Sequence, residues 1–296
     1  MNNHIHWYPG HIAKAERQLK EKLNQVDLVL EILDARIPIS SGYQNSEKLT
    51  GNKLKIVLLN KSDVADDKLN KIWCEKIERK YNCPCILTTT KDRKDVPFIV
   101  DKILKEAKPV FEKLKARGLL PRPIRVMVIG MPNVGKSSVI NKLTGKSKAK
   151  TGAKAGVTRN QQWVRVHPQV ELLDTPGIIP TVQNDQKKAI KLAMVNSISE
   201  NAYDNEFVAF ELLKILEKDY KKEVMEYYKI DENEFSIDSI AKKRNWIIKG
   251  NEPDIQRCSQ FILTNFRDGK IGKFTLEKPT DFWIWRIWKK FKQKPF

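Results

Sequence analysis

Long hydrophobic runs are missing from this chain. About 41% of its 296 residues are hydrophobic, yet they fall in short blocks. None reaches the roughly 18 residues that a helical membrane span needs. The first residues, MNNHIHWYPGHIAKAERQ, hold no apolar core followed by a small-residue cleavage site, so a secretory leader is not expected. Cysteine is scarce as well: Cys74, Cys83, Cys85 and Cys258 are the only four. Cys-Pro-Cys at 83–85 has neither zinc-knuckle nor CxxC redox spacing, so reduced structural thiols are expected. Together these absences point to a soluble, cytoplasmic protein. A third absence is local. No acidic residue occurs from Lys113 to Val170, while thirteen Lys and Arg do. A solvated face normally mixes both signs, because like charges repel. With 55 Lys and Arg against 36 Asp and Glu, a formal net charge of +19, the one-signed span implies a polyanionic partner. Nucleic acid fits this best, and an anionic membrane surface is the alternative.

What is present divides the chain. Up to residue 182, buried-strand patterns alternate with helical ones: VDLVLEILD at 26–34, LKIVLLN at 54–60, CPCILTT at 83–89 and IRVMVIG at 124–130, with strands near 161–167 and 169–174. Helical spacing marks 11–25, 43–50, 66–81, 95–107 and 136–144. Residues 109–123 read as a linker with one helical turn, closed by Pro121 and Pro123. Alternation of this kind predicts an α/β fold, a mostly parallel sheet covered by helices on both faces. From 183 to 278 helical patterns take over and predict a small all-helical domain. Residues 279–296 form a tail with three Trp and five Lys or Arg. A basic, aromatic tail can stack on RNA bases, pack on the body or sit at a membrane interface.

GMPNVGKSSVI at 130–140 matches G-x-x-x-x-G-K-[ST], directly after a buried strand and opening a helix. In such a loop the backbone N–H groups of Met131, Pro132's neighbours, Asn133, Val134 and Gly135 surround phosphate oxygens. Lys136 reaches the β- and γ-phosphates, Ser137 ligates Mg²⁺, and Ser138 continues the helix N-terminus. DTPG at 174–177 lies thirty-eight residues after Lys136 and also follows a strand. There Asp174 holds Mg²⁺ and the Gly177 N–H meets the γ-phosphate. Between them, Thr158 in GVTRN is set to ligate Mg²⁺ and sense that phosphate. NKSD at 60–63 supplies base recognition. A carboxylate at Asp63 accepts both N1–H and N2–H₂ of guanine, and adenine lacks those donors. Asn60 can reach the other side of the base, and the Lys61 stem can cover its face. The ligand is therefore GTP or GDP with Mg²⁺.

The order is unusual, because NKSD precedes the phosphate loop. A sheet depends on strand neighbours and not on where the termini fall, so joining old ends and cutting elsewhere preserves a pocket. Residues 107–123 read as the joint, and the new cut lies just past DTPG.

This order, together with WYPGHIAKA, LDARIPISS, LLNKSD, GMPNVGKSS, KTGAKAGVT, QQWV and LLDTPGI, resembles the circularly permuted GTPases of ribosome assembly. The likeness covers roughly residues 5–280. It implies a circularly permuted P-loop GTPase domain, then a helical domain. It also implies slow GTP hydrolysis stimulated by the ribosomal particle, and binding to the large subunit and its rRNA in the GTP state. A monomer with no DNA partner is expected. Two other readings stand beside it: an RNA-binding module gated by nucleotide, and a membrane-surface GTPase using the tail. Ile178 follows Gly177 where many GTPases carry a water-orienting Gln. Asn133 matches GTPases that hold K⁺ near the transferring phosphate. His11 matches the histidine thought to position water in this family, or it caps and packs. The second base-contact loop reads TTTK at 88–91, and Thr88, Thr89 or Thr90 supplies an N–H to guanine.

Overall fold

A computed structural model describes residues 5, 17, 19–42, 46–145, 162–174 and 185–280, with the backbone alone for Lys48, Gln162 and Asp174. Its centre is a six-stranded sheet in the order β3-β2-β1-β4-β6-β5. The strands are β1 (Leu28–Asp34), β2 (Leu54–Asn60), β3 (Cys85–Leu87), β4 (Ile124–Gly130), β5 (Gln162–His167) and β6 (Val170–Asp174). All neighbours are parallel except β5, which turns back antiparallel on β6 at the edge. Every residue of β1 is buried, as a central strand covered on both faces requires. Side-chain alternation divides it. Leu28, Leu30 and Ile32 enter the main core, while Val29 joins a second cluster with Leu19, Leu23, Met127 and Leu173.

Around the sheet lie α1 (Ser46–Thr50), α2 (Asp67–Tyr81), α3 (Val96–Glu106), α4 (Lys108–Ala116) and α5 (Lys136–Thr144). Asp66 caps α2 by accepting from the Lys68 and Leu69 N–H groups. Where the sequence suggested a linker with one turn, α4 runs for nine residues. Pro109 suits its first turn, Val110, Phe111 and Leu114 offer an apolar stripe, and no glycine intervenes before Gly118.

The remaining helices are α6 (Gln186–Met194), α7 (Asn205–Tyr228), α8 (Ile237–Lys243) and α9 (Ile255–Arg267). Between α8 and α9 the helical pattern read from sequence gives way to a small hairpin, β7 (Ile247–Ile248) with β8 (Glu252–Pro253). Gly250 and Asn251 turn it with φ of 96° and 63°. The main core is continuous from β1 and β4 through α6, α7 and α9. Past α9 the chain returns as an irregular strap over the sheet. The Phe274 N–H donates to the Val64 carbonyl at 3.1 Å, and the Leu276 N–H to the Arg36 carbonyl at 2.7 Å. Among the described residues no helix is long and apolar enough to cross a membrane.

Candidate nucleotide site

From β1 the chain builds β2 and β3 to one side, then crosses to the other side for β4 and β6. The sheet therefore reverses its order between β1 and β4. In open α/β sheets ligands bind at such a point, beyond the carboxyl ends of the strands. The ends that meet there are Asp34, Asn60 and Gly130, and the last of these opens the phosphate loop.

That loop is held tightly. Gly130 has φ +154°, and a Cβ on it would lie 2.5 Å from the Ile32 carbonyl oxygen. Asn133 and Gly135 take φ of 58° and 99°, turning the backbone before α5 begins at Lys136. A Cβ at Gly135 would lie 2.3 Å from Asn60 Nδ2, so only glycine fits beside that amide. Met131, Pro132 and Val134 are buried, while Ser137 and Ser138 are half-buried on the first turn of α5. Lys136 is buried, and its Nζ donates to the Met131 carbonyl at 2.9 Å, folding back across the loop mouth.

NKSD reaches this loop across more than seventy residues. Asn60 Nδ2 donates to the Val134 carbonyl at 2.7 Å, and Lys61 Nζ donates to the Asn133 carbonyl at the same distance. Asn60 Oδ1 is buried without a hydrogen-bond partner among the described residues. Lys61 Nζ also lies 3.0 Å from Asp34 Oδ2. Asp34 is fully buried, and Arg36 grips it with Nε at 2.9 Å and Nη2 at 2.7 Å. Burial by itself would raise the Asp34 pKa. The Arg36 and Lys61 charges overcome that and hold the carboxyl well below the usual carboxylate range. Burial pulls Lys61 down, against the charge of Asp34.

Asp63 lies 2.7 Å from Lys91 Nζ. Burial opposes its ionisation, but hydrogen bonds from Lys91 and Thr89 keep its pKa below the ordinary value. The TTTK segment thus stands directly beside NKSD. The Thr88 N–H is committed to the Leu59 carbonyl at 3.0 Å, and the Lys91 N–H to Thr89 Oγ1 at 3.2 Å. Asn133 Nδ2 donates to the Asn196 carbonyl at 2.6 Å, which joins the phosphate loop to the turn after α6.

Asn60, Lys61, Asp63, Thr88, Thr89 and the loop from Met131 to Ser138 therefore converge at one edge of the sheet. The backbone of Asp174 ends β6, next to β4. The Asp174 side chain, His11, Thr158, Gly177 and the tail from 281 lie outside the described residues. Sequence reasoning left Asp34, Asn196 and Lys142 unassigned. For Asp34 a signal existed: an acidic and a basic residue two apart, closing a wholly apolar strand. For Lys142, one lysine in a basic span, there was none.

Known proteins resemble this chain along most of its length. Residues 125–243 match the family model described as 50S ribosome-binding GTPase. The chain is 38% identical over 284 residues to ribosome biogenesis GTPase A of Bacillus cereus, covering 94% of this chain and 95% of the relative. The GNP-bound crystal structure of YlqF from Thermotoga maritima superposes with a TM-score of 0.66 at 28% identity. That alignment covers 90% of this chain and 98% of the other. The GDP-bound YlqF structure gives the same score and identity, covering 89% and 100%.

Proposed function

The chain belongs to the ribosome biogenesis GTPase A family, GTP-hydrolysing enzymes of ribosome biogenesis, and we propose from this that its target in the cytoplasm is the large ribosomal subunit. In this reading it binds rRNA while loaded with GTP and leaves after hydrolysis. The 50S ribosome-binding description of the matching family supports that target. So does the basic span from Lys113 to Val170.

The observation that carries the reading is the contact between NKSD and the phosphate loop, Asn60 on Val134 and Lys61 on Asn133. It gathers the base-reading and phosphate-reading segments around one ligand despite their reversed order. Asp63 takes the N1–H and N2–H₂ of guanine, displacing Lys91. The Thr88 and Lys91 N–H groups are already bonded, so Thr89 or Thr90 is left to meet the guanine O6. Asn60 steadies the phosphate loop. Lys136 swings from the Met131 carbonyl to the β- and γ-phosphates. The glycine cradle and the helix N-terminus at Lys136 suit a phosphate chain. Ser137, with Thr158 and Asp174, would hold Mg²⁺, which neutralises charge developing on the phosphates. The amide nitrogen of Asn133 is engaged by Asn196, so its oxygen is the end suited to K⁺. His11 and Gly177 are proposed to position water and contact the γ-phosphate.

In functional terms we assign residues 1–182 to nucleotide chemistry, 183–278 to a helical unit that meets RNA, and 279–296 to an accessory basic tail. The test is co-sedimentation with immature and mature large subunits. Protein loaded with a non-hydrolysable GTP analogue should pellet with immature particles at least about tenfold more than GDP-loaded protein. Equal pelleting in both nucleotide states would overturn the proposal.

A further inference from the structure

We propose that Lys142 is a positioning residue for guanine recognition, bracing the base-contact loop from the far end of the phosphate-loop helix. The inference rests on the pocket assignment above. α5 begins at Lys136 under the phosphates, and Lys142 lies six residues on, about 9 Å along the axis. Its side chain is 2% exposed. A buried ammonium needs partners, and those it has among the described residues lie between β3 and α3. Its Nζ donates to Thr88 Oγ1 at 2.9 Å and to the Thr89 carbonyl, and it pairs with the Asp95 carboxylate. Thr88 Oγ1 in turn donates to Asp95 Oδ2 at 2.6 Å.

A second contact ties the same two elements. Gly145 caps α5 with φ +67°, and a Cβ there would lie 2.4 Å from Arg93 Nη1 of that loop. The Arg93 guanidinium of that segment thus lies against the helix end. Asp63 and the N–H groups of Thr89 and Thr90 can address one base only if this segment keeps a fixed distance from NKSD. The Thr89 carbonyl gripped by Lys142 belongs to the peptide unit whose nitrogen is the Thr90 N–H. That grip sets the direction in which the Thr90 N–H points. One helix thus joins both ends of the nucleotide, phosphates at its N-terminus and base at its C-terminal turn.

The test compares GDP with the diphosphate of 2-aminopurine riboside, which keeps the N2 amine and lacks O6 and, with it, the N1–H. Both are titrated into wild type, Lys142→Met, Lys142→Arg and Thr88→Val. Wild type should prefer GDP. Lys142→Met should narrow that preference about tenfold by weakening GDP while changing the analogue less than about twofold. Lys142→Arg should restore most of it. Thr88→Val, which removes one acceptor and leaves the charge buried, should narrow it less and serves if the methionine variant does not fold. A purely structural role would weaken both ligands together and leave their ratio unchanged, which overturns the inference. An arginine variant that behaves like methionine overturns it too. Asp63→Asn, with Lys142 intact, is the separate control. If it does not shift preference from GDP to xanthosine diphosphate, the pocket assignment itself fails, and the inference falls with it.

Discussion

Asp34 is the charge on which the pocket floor turns. It has no exposure, and its two basic partners come from different directions: Arg36 from the loop after β1, Lys61 from NKSD. Lys61 in turn holds the Asn133 carbonyl. Asp34→Asn would leave the buried Arg36 and the half-buried Lys61 without a carboxylate. Breaking a buried pair in this way costs about 3–5 kcal/mol, and urea titration should show it. The loss should also loosen the phosphate loop, so GDP should bind at least about tenfold more weakly to the folded variant. The pH dependence has a definite sign. Because the folded pKa lies below the ordinary carboxylate value, the contribution of Asp34 is complete above about pH 4. It drains away as pH falls through the folded value. The variant should therefore lose that part of the acid-unfolding profile. In the proposed site Asp63 has the complementary part, toward the base. Asp63→Asn should lower GDP affinity by about a hundredfold or more and raise that for xanthosine diphosphate, read by competition titration. The proposed role of Asp63 was legible in the sequence because it rests on a local four-residue pattern, NKSD, just past the end of β2. The role of Asp34 was not, because it exists only once β1 and β2 lie side by side.

Elements outside the pocket are fixed by buried polar contacts between segments far apart in sequence. The loop 35–42 after β1 is one meeting place. Glu277 of the strap accepts from the Ile39 N–H at 2.6 Å, the Ser40 N–H at 3.2 Å and Ser40 Oγ at 2.5 Å, and pairs with Lys191 of α6 at 3.1 Å. Lys188 of α6 donates to the Gly42 carbonyl at 3.2 Å. Burial pulls its pKa from 10.5 down to about 8, with the Glu277, Asp185 and Glu31 charges opposing. Between these two values the unfolded chain holds a proton that the folded one does not. Folding therefore gains stability as pH rises from about 8 to 10.5, and loses it as pH falls back through 8. Measured against Lys188→Met, to cancel the other groups titrating there, wild type should gain up to about 3 kcal/mol across that window. A flat difference would show that Lys188 keeps its charge at no cost. Strands β1, β2 and β4 and helices α2 and α5 were readable from periodicity, since each carries its own pattern. The strap was not, because it has no repeat and the hydrogen bonds from Phe274 to Glu277 run to segments far away in sequence. α4 was hidden because Pro109 at its start and Pro121 and Pro123 beyond it give that stretch the look of a linker, and packing of Val110 and Phe111 on the core decided it.

At the scale of the whole molecule the pocket and the helical unit are linked in a closed circuit. Starting from the phosphate loop, the Asn133 carbonyl accepts from Lys61, Lys61 pairs with Asp34, and Asp34 with Arg36. Arg36 Nη1 donates to the Arg267 carbonyl at 3.3 Å, at the last residue of α9. The Arg267 guanidinium then donates to the Met194 and Ala193 carbonyls, both at 3.0 Å, at the end of α6. Two residues on, the Asn196 carbonyl accepts from the Asn133 side chain, back at the phosphate loop. A shift of Asn133 on loss of the γ-phosphate would pull on both arms at once. α6 begins at Gln186, nine residues after Gly177 of DTPG, and its other end meets the phosphate loop through Asn196. Sequence order alone placed the helical unit just past DTPG, but did not show that α9 closes the circuit behind it. Arg267→Met should break the circuit at a point remote from the chemistry. Its intrinsic GTP hydrolysis and GDP affinity should stay within about threefold of wild type, a change of less than about 0.7 kcal/mol. If the proposed nucleotide-dependent particle binding is coupled through this contact, its difference between GTP-analogue and GDP states should shrink. Co-sedimentation in both states reads that difference, and a thermal melt checks that the variant is folded. If folded Arg267→Met kept the full wild-type difference, the signal would have to travel through α6 alone.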